Sequence, residues 1–297
     1  MSAPHRPRRA VRRFIGAHRA FSVHAALVVA IVLVAVLAEQ VAPMDPCTAN
    51  LPEAFQPPSA AHWFGTDRLG RDMASRVVYG TRLSLAAATA LVAIISVAGS
   101  LLGVIAGYFG GLLEAVIMRV SDMMISFPGI VLAIAVAGLL GASIRNAILA
   151  LAVVSWTKYA RLARSLVLKI RRSDFVTAAE LTGARPGRLI RRYLLPSVLP
   201  MLVITAATDI GTMMLELAGL SFLGFGAQPP QAEWGLMLNE GRANLLDSPW
   251  LMIFPGAAIC VTVIAFNLLG DALRDVLDPR RSGGDENTAE LASAPSL

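Results

Sequence analysis

Between Leu83 and Leu113 the chain carries no charged residue. A run of that length has few places to go: the buried helix of a large core, or the hydrocarbon of a bilayer. Other windows repeat the pattern. Residues 21–38 are uncharged apart from the ring of His24, and Met123–Ile144 is uncharged with Pro128 inside it. Asn146–Thr157 is shorter, and spans if Arg145 and Lys158 snorkel towards opposite surfaces. Tyr193–Ala227 is interrupted only by Asp209 and Glu216, and Ser248–Gly270 is clean. Because about 20 apolar residues cross one bilayer, these windows predict an all-α membrane protein of about six transmembrane helices. Composition agrees, with 56% hydrophobic and 15% charged residues, against about 25% charged in soluble domains. That excludes a disordered chain and argues against a soluble two-domain enzyme.

The net charge of +6 gains meaning from where it sits. A basic balance also marks nucleic-acid binders, but here the charges fall between apolar windows, so a lipid membrane is expected and nucleic acid is not. Residues 1–20 carry Arg6, Arg8, Arg9, Arg12, Arg13 and Arg19 without an acid. A signal peptide shares that order. The apolar run is long for one and no small-x-small site follows, so an uncleaved first span over 21–40 is expected. Residues 158–192 carry Lys158, Arg161, Arg164, Lys169, Arg171, Arg172, Arg185, Arg188, Arg191 and Arg192 against Asp174 and Glu180. Residues 39–82 and 228–250 hold more acids than bases. By the positive-inside rule both termini and the 158–192 loop face the cytoplasm, and the other two segments lie outside. Six spans close that alternation without conflict.

Several chemistries are missing. A phosphate-binding P-loop needs Lys followed by Ser or Thr, whereas Lys158 precedes Tyr159 and Lys169 precedes Ile170. His5, His18, His24 and His62 all lie early and none is followed by Glu, so no His-Glu-x-x-His zinc protease is encoded. Cys47 and Cys260 are too few for a disulfide framework and read as inert.

The basic loop has internal punctuation. Ser173 and Asp174 offer a side-chain oxygen to the first N–H groups of a helix, Phe175–Leu181 supplies two turns, and Gly183 suits the left-handed residue after a helix. Pro186 opens a second short helix. The result is a protruding elbow with Phe175, Val176, Ala179 and Leu181 as its apolar groups. Spacing alone fits a docking element and a basic topology anchor equally.

Thr177-Ala178-Ala179, then Gly183, then Tyr193-Leu194-Leu195-Pro196 resembles the EAA loop of ATP-binding-cassette (ABC) importer permeases. The spacing fits throughout, with Thr177 in place of the motif's Glu. His62-Trp63-Phe64-Gly65-Thr66-Asp67 with Leu69-Gly70-Arg71-Asp72 and Ser75-Arg76 is similar to the segment before the second span in the dipeptide/oligopeptide/nickel branch. So are Ser221-Phe222-Leu223-Gly224-Phe225-Gly226 with Glu233-Trp234-Gly235, and Asn267–Asp275 with Asp278-Pro279. The similarity covers residues 15–281 and resembles the shorter of the two permease subunits. It implies a type I ABC importer permease fold with a cytoplasmic coupling helix, in a bacterial inner membrane. It implies a second permease subunit, two ABC ATPase subunits and an extracytoplasmic substrate-binding protein as partners. ATP and Mg would sit on the ATPases, with no cofactor and no enzyme site on this chain. Coupling would fall to Asp174, Phe175, Thr177, Ala178, Ala179, Glu180, Gly183, Leu195 and Pro196. The expected organisation is a basic N-terminus over 1–20, a first helix over 21–40 and an outer loop over 41–80. A five-helix permease core over 81–275 follows, with the coupling loop 158–192 and a disordered tail over 276–297.

Asp209 and Glu216 stand out, since acids deep in a span face a cavity or a partner. Seven residues apart, they share a helix face, with Met213 between them and Thr212 adjacent. Carboxylates suit hard cations and thioethers softer ones, so Asp209, Thr212, Met213 and Glu216 are the candidate substrate path. The alternative is pairing of either acid with an Arg or backbone group of a partner permease. The run Asp209-Ile210-Gly211, Met213-Met214-Leu215 resembles nickel-type members, which tend to carry His where Thr212 and Glu216 stand. Nickel or a metal chelate is therefore the first expectation for cargo and a dipeptide or oligopeptide the second. An ion-driven secondary transporter is the reading from another class. Gly99, Gly103 and Gly107, spaced by four, are expected to allow close helix packing within the chain, and Pro128, Pro196, Pro200 and Pro255 to bend or start spans.

Overall fold

The structure, a computed structural model, describes residues 19–277. The basic cluster Arg6–Arg13 and the tail from 278 onward lie outside the described residues. Helix α1 covers Arg19–Val36 and a single helical turn follows at Ala38–Val41. The segment from there to Asp72 holds one short 3-10 turn and an isolated antiparallel bridge between Thr66 and Asp72.

Helix α2 runs over 37 residues, Met73–Phe109, about 55 Å at 1.5 Å per residue. It starts ten residues before the uncharged window because Asp72 caps it, accepting from the Ser75 N–H at 2.8 Å. It ends where Gly110 and Gly111 take φ values of +65 and +59°, which L side chains resist. Gly107 lies inside the helix, in line with Gly99 and Gly103.

The window Met123–Ile144 requires a correction: it is not one helix. Helix α3 (Gly111–Ile125) and helix α4 (Gly129–Leu140) meet at a bend of 92°. Pro128 has no N–H to continue α3 and biases Phe127 away from helical ψ, so the chain restarts there. Helix α5 then spans 28 residues, Ile144–Arg171. Ser143 caps it by accepting from Asn146 N–H, and the Asn146 side-chain amide donates to the carbonyls of Leu140, the last residue of α4, and of Gly141 just beyond it. The segment 158–192 is therefore no single loop; residues 158–171 prolong a helix. Its charges are tolerated because neighbouring helices answer them. Arg161 pairs with Asp122 and Arg164 with Glu114, both on α3.

Helix α6 covers Asp174–Leu181 and helix α7 Pro186–Leu189. One π-type turn over Ile190–Leu194 feeds helix α8, Leu195–Phe222, with Pro196 in its first turn and Pro200 inside. Helix α9 (Trp234–Gly241) and helix α10 (Trp250–Leu277) complete the described chain. Among the described residues, three helices are long and apolar enough to cross a membrane: Met73–Phe109, Pro186–Phe222 and Trp250–Val276. The bent pair α3–α4 makes a fourth if it counts as one span, and Phe21–Val36 is a shorter apolar helix. Helix α5 is long enough but carries Arg145, Lys158, Arg161, Arg164, Lys169 and Arg171.

The glycine stripe sets the central packing. Gly99 faces Trp156 and Tyr159, Gly103 faces Ala160 and Ala163, and Gly107 faces Arg164 and Val167. Helices α2 and α5 therefore run parallel, and Arg171 closes their shared end by donating to Tyr108 O at 2.6 Å. Helix α8 runs the other way against α10, with Gly211 on Val263 and Asn267 and Gly270 on Thr208. The elbow thus sits at one end of the bundle, and the segment around Asp72 and Trp234 at the other. A Cβ on Gly103 would lie 2.2 Å from Ala160 O, so Gly103→Ala is expected to cost roughly 1–3 kcal/mol by overpacking. Gly219, with nothing within 4 Å of an added Cβ, gives a control: Gly219→Ala should leave the detergent-solubilised melting temperature unchanged or slightly raised.

Candidate functional site

Helices α6 and α7 form the elbow. Val176 and Ala179 are buried against the bundle, whereas Phe175 is 50% and Leu181 84% exposed. The Ala184 N–H reaches back to Ala179 O at 3.1 Å across Gly183, whose φ is +80°. This six-to-one bond closes α6 as a left-handed glycine cap does. Pro186 occupies the first turn of α7, as its fixed φ favours. Ser173 departs from expectation: its hydroxyl donates back to Ile170 O rather than capping α6. The hydroxyl finishes α5, and Ser173 enters α6 only through its carbonyl, which accepts from Val176 and Thr177 N–H.

Asp174 lies exposed in the first turn of α6, where its charge suits the helix dipole. Thr177 and Ala178 are exposed, and Thr177 Oγ1 donates to Ser173 O. Glu180 belongs to the same helix. Leu195, half-buried, and Pro196, exposed, lie at the root of α8, next to buried Leu194 and Val198. Phe175 leans on Tyr193, with ring centroids 6.3 Å apart.

A polar cluster occupies the middle of the helices. Lys158 Nζ donates to Asp209 Oδ1 at 2.6 Å, and the two residues sit near the midpoints of α5 and α8. The Lys158 side chain is 58% exposed and that of Asp209 3%. Lys158 thus points to a partner rather than snorkelling to a surface. Buried Tyr159 lies beside the same carboxylate, but neither its hydroxyl nor Asp209 Oδ2 makes a well-aligned hydrogen bond. Of the expected path residues, Asp209 and Met213 are buried, Thr212 is exposed and Glu216 half-buried. At 100° per residue Met213 turns to one side of Asp209, into the packing, and Thr212 and Glu216 to the other. The stripe is therefore split. Lys158, missed as a site residue, was legible as a basic group amid apolar residues with an unmatched acid in a later span.

At the far end lies a second cluster, also not anticipated as a unit. Arg71 Nε bonds Asp67 Oδ2 at 2.6 Å, and Arg71 Nη2 reaches Glu240 at 3.2 Å. Arg76 Nη2 bonds Glu240 at 2.8 Å, and Nη1 lies 3.3 Å from Asp67 without hydrogen-bond alignment. Both guanidinium groups are almost fully buried. His62 Nδ1 meets Asp72 Oδ1 at 3.0 Å and so braces the cap of α2. Glu233 caps α9 through Gly235 and Leu236 N–H. Burial pushes its carboxyl above the usual range, opposed by those two donors. Trp234 Nε1 donates to Val77 O at 2.9 Å, and its ring lies against Gly80, where a Cβ would clash at 2.6 Å. These motifs fasten the segments before α2 and around α9 to α2; among the described residues no group of three or more His, Cys, Asp or Glu is arranged to hold a metal ion.

Comparison with known proteins fits this geometry. A family described as binding-protein-dependent transport system inner membrane component matches residues 99–283. A probable D,D-dipeptide transport system permease protein of Escherichia coli (strain K12) is 46% identical over 259 residues, 87% of each chain. A nickel transport system permease protein of the same strain is 42% identical over 261 residues, 87% of this chain and 94% of its own. A glutathione transport system permease protein of Escherichia coli O6:K15:H31 is 44% identical over 273 residues, 92% and 90% of the two chains. Among solved structures, the MetNI methionine ABC transporter in inward-facing conformations is similar with a TM-score of 0.56 at 21% identity. The match covers 68% of this chain and 96% of that one. At that identity the likeness shows a shared fold.

Proposed function

Since the chain belongs to the binding-protein-dependent inner-membrane components, as an ABC importer permease of the dipeptide/oligopeptide/nickel branch, we propose that it forms half of a path for small peptides. The other half is a second permease. Two ABC ATPases bind the ATP and Mg, and an extracytoplasmic binding protein delivers cargo. The termini and elbow face the cytoplasm of a bacterial inner membrane. Closure of the ATPases on ATP moves α6, and through α7 and α8 tilts the spans between outward and inward access.

The observation that carries this reading is the elbow. Phe175 and Leu181 stand out from a short helix whose other face, Val176 and Ala179, is locked to the bundle. A push on that helix is transmitted to α8 rather than absorbed.

The peptide reading of the cargo rests on the mid-depth cluster. A bare divalent cation needs several oxygen or soft ligands at once. Asp209 is already engaged by Lys158 and Met213 is buried, which leaves Thr212 and Glu216 on the open side. Nickel or a nickel chelate is the second reading, favoured by the nickel relative. Uptake by cells with the full transporter, tested with an L,L-dipeptide, a D,D-dipeptide, glutathione and Ni²⁺, separates these readings; peptide uptake without Ni²⁺ uptake is expected. The chain alone in ATP-free vesicles should transport nothing under an ion gradient. Uptake there would replace the ABC coupling with an ion-driven mechanism.

A further inference from the structure

Charged groups midway along a span are costly against lipid, so an exposed one faces a cavity or another protein. Lys158 is such a group: mid-helix in α5, 58% exposed, bonded to Asp209 midway along the α8 span, and within electrostatic reach of half-buried Glu216. Its ammonium has three N–H donors, and Asp209 Oδ1 takes one of them. Asp209 is held inside the packing, so the remaining donors are available towards the open side.

We propose that Lys158 binds the carboxylate of a passing peptide, with Asp209 as its resting counter-ion and Glu216 receiving the peptide's ammonium. This rests on the peptide reading above and names how the same face selects its cargo. Three observations support it. First, the two charges on the open side, exposed Lys158 and half-buried Glu216, have opposite sign, which suits a zwitterion better than a cation or an anion. Second, Asp209 and Glu216 are seven residues apart on one helix, about 10.5 Å along the axis at 1.5 Å per residue. An extended chain covers about 3.3–3.6 Å per residue, so that rise corresponds to about three peptide residues. Third, Asp209 Oδ2 and the Tyr159 hydroxyl are buried without aligned partners. The counter-ion is thus incompletely satisfied, and a modest shift of Lys158 towards a cargo carboxylate can be offset by Tyr159 turning onto Asp209.

The test uses the full transporter in cells, with whichever peptide of the panel above the wild type imports. Lys158→Met should reduce its uptake about tenfold or more, the scale of one lost charge-assisted hydrogen bond. Because that variant also strands Asp209, Lys158→Met with Asp209→Asn removes both charges and the burial penalty together. Uptake that stays low in the double variant supports the proposal, whereas return to wild-type uptake makes the pair structural and overturns it. Exposure is read separately with Lys158→Cys, after the exposed Cys47 and Cys260 are changed to Ser. A water-soluble methanethiosulfonate ammonium reagent should modify the introduced thiol and restore uptake, and the peptide should slow the modification. Failure of that thiol to react would place the side chain against lipid or a partner and overturn the proposal. A wild-type transporter that imports Ni²⁺ and no peptide would sink the peptide reading, and this inference with it, before any variant is compared.

Discussion

Replacing Phe175 and Leu181 together by Asp is expected to abolish ATP-dependent uptake while the chain still inserts and folds. Both side chains project from α6 into solvent, so the folded chain loses little when they change. Apolar anchors at the centre of a protein interface are each worth about 2 kcal/mol or more, and two such losses weaken binding by roughly a thousandfold. Co-purification of the ATPases should fall with uptake, while the melting temperature of the isolated chain stays within a degree or two. Val176→Asp makes the contrast. Val176 is fully buried, so a charge there should unseat the elbow and lower stability as well. If the double variant keeps its ATPases and its uptake, the elbow is a topology anchor and coupling runs elsewhere.

The second large effect is expected at the opposite end. Glu240 neutralises Arg71 and Arg76 where all three are largely withdrawn from water. Glu240→Gln leaves two buried guanidinium groups facing Asp67 alone. Breaking a buried ion pair from one side costs about 3–5 kcal/mol, a large share of the roughly 5–15 kcal/mol that holds a domain together. The variant should yield little folded protein and melt far earlier in detergent. Arg76→Met added to Glu240→Gln restores charge balance with Asp67 and Arg71 and should recover much of the loss, a coupling that a double-mutant cycle measures directly. Additive losses would mean that the cluster is packed rather than paired.

The two clusters differ in how much the linear chain reveals of them. The elbow is encoded within about a dozen residues. Gly183 is needed for a positive φ, Pro186 for a helix start, and the spacing of apolar positions decides which side of α6 is buried. Each of these is local physics, and the structure follows it closely. Only the Ser173 hydroxyl takes another partner, because the end of α5 offers Ile170 O at the same distance in sequence. Apolar windows likewise mark the helices that cross a membrane, and the glycine spacing of α2 marks its packing face.

What local patterns leave open is which charges meet. Lys158 and Asp209 are 51 positions apart, and Arg71 and Glu240 are 169 apart. Hydropathy therefore ends α5 near Thr157, whereas the folded chain carries it to Arg171 because α3 and α8 supply the acids. The same distance effect splits the Asp209–Glu216 stripe. A helical wheel puts both acids and Met213 on one face, but only the position of α5 decides that Met213 and Asp209 turn inward and Thr212 and Glu216 outward. By itself the sequence determined the helical membrane class, the turns of the elbow and the segment in which the positive charge gathers, since each is set by neighbours along the chain. Tertiary structure alone decided the 92° angle of the break before α4, the neutralisation of the mid-helix charges and the identity of the open face. Those depend on the partner that helix packing brings within a few ångströms.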